Sequence, residues 1–114
     1  MVVSDRYTHQ SITPKGKIER FRAKFVRLRE NLKFLLAILL KNIPGYSEDE
    51  IQKLQIMLLK TTFFTDEMDF HLRGEIPFEV ADEVDAAYFH FYQRSRTEVT
   101  GLLHELCPDH YFIW

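Results

Sequence analysis

Seven apolar residues, Ile18, Phe21, Phe25, Leu28, Leu32, Leu35 and Leu39, recur at alternating spacings of three and four, with neither proline nor glycine between residues 17 and 43. That alternation holds side chains on one stripe of an α-helix, whereas a half-buried strand needs a spacing of two. The seam predicts a first helix over about 15–43, roughly 40 Å long at 1.5 Å per residue. Pro44-Gly45 then supplies a residue that a helix does not continue through and a flexible turn. Residues 1–13 are polar and aperiodic and read as a flexible arm, leaving 14–114 as one helical-bundle domain.

Two more helices follow from the punctuation. Ser47-Glu48-Asp49-Glu50 is a capping box, with acids at the positive end of the helix dipole. Ile51, Leu54 and Leu58 carry the pattern on, and Gly74 offers a left-handed stop. The weak point is Thr61-Thr62-Phe63-Phe64-Thr65, whose poor helix formers predict a kink or break as the competing arrangement. Pro77 is suited to open a third helix, and Cys107-Pro108 to close it. Gly101 costs that helix roughly 1 kcal/mol, which a closely approaching neighbour would explain. The apolar tail Asp109 to Trp114 is expected to dock. With no strand signals and short connections, the fold expected is an all-α, up-down-up bundle of three long antiparallel helices, dimeric for the reason given below.

Charge is segregated along the chain. Residues 1–44 carry ten Lys and Arg against three acids, and residues 45–87 carry three basic residues against eleven acids. The bundle order places the basic start of helix 1 beside the acidic end of helix 2 and start of helix 3, so the two blocks are expected to neutralise each other. With a net charge of -2, this argues against a nucleic-acid partner. The longest apolar run, Phe34 to Leu40, is too short to span a bilayer, and the opening residues lack a secretory core. With a single cysteine, the reading is a cytoplasmic protein without a membrane role.

Catalytic signals are sparse. Gly16, Gly45, Gly74 and Gly101 stand apart, so no phosphate-cradling loop is formed. His104, Cys107 and His110 have a spacing that admits a metal, but Pro108 interrupts it and no fourth ligand is evident, so a small buried thiol beside surface histidines is the plainer reading. Glu67, Asp69 and His71 read as a solvated helix face, and Tyr88 to Tyr92 as core packing with polar tips outward. Neither cofactor nor metal is expected, and the chain reads as a non-enzyme.

Helix 2 has more apolar residues than one core can cover. Ile51, Leu54, Leu58 and Thr65 share one face, while Ile56, Leu59, Phe63 and Phe70 form a second stripe about 140° away. Phe34 and Ile38 likewise point away from the seam of helix 1. Contiguous exposed apolar groups mark an interface, so Phe34, Ile38, Ile56, Leu59, Phe63 and Phe70 are the candidate partner-binding residues, for a homodimer, another protein or both.

Ile76-Pro77 opening an acidic-start helix, Val84-Asp85-Ala86-Ala87 within it and Leu102 to Pro108 closing it resemble the bacterial quorum-sensing antiactivators of the TraM and QslA type. The resemblance covers about a third of the chain. It implies a regulator that binds a LuxR-type transcription activator and stops it dimerising or reaching DNA, with no site residue carried over. The alternatives are a DNA-binding regulator using basic helix 1, and an immunity or inhibitor bundle.

Overall fold

The computed structural model describes the backbone of residues 13–41, 45–75 and 81–114. The arm, Pro44 and the predicted start of the third helix at Pro77 lie outside these residues. Among the described residues the chain is all-helical without strands: α1 (Pro14–Leu39), α2 (Glu48–Leu72) and α3 (Ala81–Leu106). No described helix is long and apolar enough to cross a membrane.

Local chemistry explains the helix ends. Thr13 caps α1 by accepting from the Gly16 amide at 3.1 Å. Ser47 does the same for Glu50 at 3.2 Å. The end of α1 falls at Leu39, short of the expected 43; Leu40 keeps right-handed dihedrals and the Lys41 amide tightens onto the Ile38 carbonyl at 3.1 Å. At the end of α2, Gly74 takes φ +81°. Its amide bonds the His71 carbonyl at 3.0 Å and the Glu75 amide reaches the Phe70 carbonyl at 2.9 Å, forming a Schellman stop.

The competing arrangement, a break in α2, is absent: the helix runs from Glu48 to Leu72 without interruption. Thr61, Thr62 and Thr65 turn their hydroxyls onto the carbonyls of Met57, Leu58 and Thr61, at 2.8, 3.0 and 2.7 Å. Each hydroxyl is thereby satisfied within its own helix, so Thr61 and Thr65 can face the core and the helix continues.

The seam of α1 is the core: Ile18, Phe25, Leu28, Leu32, Leu35 and Leu39 are buried, packed with Leu54 and Met68 of α2 and Tyr88, Val99 and Leu103 of α3. Phe25 lies 5.8 to 6.1 Å, centroid to centroid, from the rings of Phe64, Tyr88, Phe91 and Tyr92. Arg22 of α1 bridges Asp69 of α2. Lys53, early in α2, meets Glu98, late in α3, at 3.1 Å. Tyr46 donates to Glu105 at 3.1 Å, and partial burial together with that carboxylate holds its phenol above the usual range.

Two expectations are corrected. Glu67, Asp69 and His71 are not a solvated face: Tyr88 donates to Glu67 at 2.8 Å, Asp69 takes Arg22, and His71 is buried. Gly101 is not a close-approach point, because a Cβ there would meet nothing within 4 Å. Since Gly101 is exposed, Gly101→Ala is expected to stabilise the chain by about 0.5–1 kcal/mol, raising the thermal midpoint by a few degrees in calorimetry.

Candidate protein-interaction surface

The buried face of α2 is centred on Leu54, Thr61, Thr65 and Met68, with Ile51 and Leu58 only half-buried at its edge. At 100° per residue, the stripe of Ile56, Leu59, Phe63 and Phe70 then lies about 170° from the core, almost diametrically outward rather than the 140° expected. Its exposure follows from that position: 47% for Ile56, 70% for Leu59, 61% for Phe63 and 40% for Phe70. Leaving such side chains in water forgoes about 1.5–3 kcal/mol each, which a docked partner recovers in part.

Polar groups border the stripe on the side of α3. Lys60 lines a groove of about 340 Å³ between α2 and α3, with Ile56, Phe91 and Arg94. Glu67 sits on the same border, where it accepts the hydroxyl of Tyr88 from α3. Arg73 closes the far end by placing its guanidinium 4.8 Å from the centre of the Phe70 ring.

Phe34 and Ile38 belong to a second patch. α1 meets α2 through Arg22 and Phe25, on another face of the helix. Phe34 instead stacks on His110 at 5.6 Å and meets Phe112 at 5.5 Å. It remains 41% exposed, and Ile38 is half-buried. The tail is held there by main-chain capture, with Asn31 donating to the Ile113 oxygen and Arg27 to the Trp114 oxygen, each at 3.0 Å. Arg96 covers the Trp114 ring at 5.5 Å. The docking expected of the tail is therefore present, but the tail covers α1 and not the stripe on α2. The six candidate residues form two patches, four on the outer face of α2 and two beside the tail.

Four further apolar residues are exposed, Leu40, Phe89, Tyr111 and Ile113, and helical periodicity marks none of them. For the last two another signal exists, since Tyr111 and Ile113 alternate with the half-buried Phe112 and Trp114 at the two-residue period of an extended segment. His104, Cys107 and His110 do not form a metal-binding group, and no three ligating side chains converge among the described residues. Cys107 is half-buried rather than buried. Comparison with protein-family models, curated proteins and solved structures finds no match to this chain.

Proposed function

We propose that this chain is a small, non-enzymatic, cytoplasmic regulator that works by binding another protein through the apolar side chains its bundle leaves outside. Its partner, in this reading, is a LuxR-type transcription activator, which it holds away from dimerisation or DNA in the manner of a quorum-sensing antiactivator. The helices run up-down-up, a course supported by the pairing of Arg22 with Asp69, Phe25 with Tyr92 and Lys53 with Glu98. The observation that carries the reading is the outward stripe Ile56, Leu59, Phe63 and Phe70, which no part of the described chain is placed to cover.

The test is a reporter strain carrying a LuxR-type activator and its promoter. Co-expression of this chain is expected to lower reporter output at saturating signal. Phe63→Asp and Phe34→Asp should restore output while circular dichroism stays unchanged, because neither side chain belongs to the core that holds the helices together. Undiminished output with a folded, soluble wild-type chain would remove the antiactivator reading.

A second reading, direct DNA binding by α1, is favoured by Arg20, Lys24 and Arg27, which are exposed. Lys24 lies over the Tyr92 ring and Arg27 bonds the Trp114 oxygen, and neither pairs with a carboxylate side chain among the described residues. Binding to random duplex DNA that vanishes with added salt would support it.

A further inference from the structure

We infer that the outer face of α2 pairs with the same face of a second copy of this chain, antiparallel, about a two-fold axis passing through Phe63. The inference rests on the reading of the outer faces as binding surfaces and assigns this one to self-pairing, which leaves the patch of Phe34 and Ile38 open to the activator in the paired form. The stripe is arranged around Phe63, with Ile56 seven residues before it and Phe70 seven residues after. A two-fold at Phe63 sets Phe63 against itself and Ile56 of each copy against Phe70 of the other, while Leu59 falls between the levels of its mate's Phe63 and Phe70.

The polar border selects the direction. In an antiparallel pair of helices, each flank meets the same flank of its mate. Lys60 and Glu67 lie on one flank, towards α3, on opposite sides of Phe63. Antiparallel pairing therefore brings each Lys60 to the second copy's Glu67, twice in the dimer. Neither residue has an ion pair with another described residue, and Glu67 uses only one carboxylate oxygen on Tyr88. Parallel pairing brings this flank against the opposite one, where Lys60 meets the exposed Asp66 and the half-buried Glu67 is left without a cation. The pairing is isologous and closed, so it yields a dimer and not a filament.

Sedimentation of the purified chain alone, with no activator present, reads self-pairing separately from repression. The expected mass is twice 13.7 kDa. Phe63→Asp is expected to weaken association by at least about 30-fold, as a central apolar anchor does. Lys60→Glu, which disturbs no buried group, should weaken it by about fivefold through two like-charge contacts, and keeps the test open should the first variant lose helicity. In a Cys107→Ser background, Phe63→Cys should cross-link to its mate on oxidation while Gln52→Cys should not; parallel pairing cross-links both. A single-chain mass at all concentrations, equal cross-linking at both positions, or a lone chain whose Phe63 is buried only by the activator would each overturn the proposal.

Discussion

Phe25→Ala is expected to lower the free energy of unfolding by about 3–5 kcal/mol, the range for removing a fully buried phenylalanine. Phe25 has no exposed surface. Its ring is also the centre of the aromatic cluster, within 6.1 Å of four others drawn from α2 and α3. Loss of the ring leaves a cavity bordered by aromatic side chains whose rigid outlines close poorly around it, so the cost should fall at the upper end. A domain of this size holds only about 5–15 kcal/mol in total. In urea titration the midpoint should drop by a third or more with an unchanged slope. A variant within 1 kcal/mol of the parent would mean that α1 does not hold the helices together through this cluster.

Removing residues 109–114 is the second large effect, with an expected loss of about 2–3 kcal/mol from the apolar area that Phe112 and Trp114 cover and from the contacts of Phe34. The helices themselves should persist, because the tail lies on α1 without entering the seam. Trp114, the single tryptophan, reports the event directly. In the full chain its emission should shift to the red in a step that precedes the loss of helicity, since a short segment held by two main-chain hydrogen bonds opens more easily than the bundle. Coincident transitions would show instead that the tail unfolds with the core.

Much of this fold is legible in the sequence, for identifiable reasons. The seam of α1 is readable because a period of three and four admits only a helix. Ser47 and Gly74 are readable because each does one stereochemical task that few residues perform. The outer stripe on α2 is readable as a surplus of apolar residues. Its division from Phe34 is not, because which face of α1 the tail covers depends on contacts more than 75 residues apart in the chain. The surroundings of Glu67 and Asp69 are illegible for a similar reason, since a residue's polarity does not reveal that a neighbouring helix supplies its partner, here Tyr88 and Arg22. The threonines misled in the opposite direction. Their propensity is measured for an isolated helix, where a hydroxyl competes with the backbone, but in α2 each hydroxyl bonds the preceding turn and leaves a methyl for the core.

The aromatic rings lie towards one end of the bundle. Phe21, Phe25, Phe64, Tyr88, Phe91 and Tyr92 interlock there, beside the bonds of Arg22 to Asp69 and Tyr88 to Glu67. The other end is filled by aliphatic side chains such as Leu36, Leu39, Leu54 and Leu103, with the exposed bond of Tyr46 to Glu105 across it. Aromatic rings meet edge to face in fixed geometries and add about 0.5–1.5 kcal/mol per pair beyond the area they bury, a term that the leucines at the other end lack. The two ends of the bundle thus differ in what fills them, and amide exchange in α2 is expected to be slower near Phe64 than near its Ser47 end. Opening of the chain is then expected to begin at the end of α2 that carries Ile56 and to reach the end that carries Phe70 last.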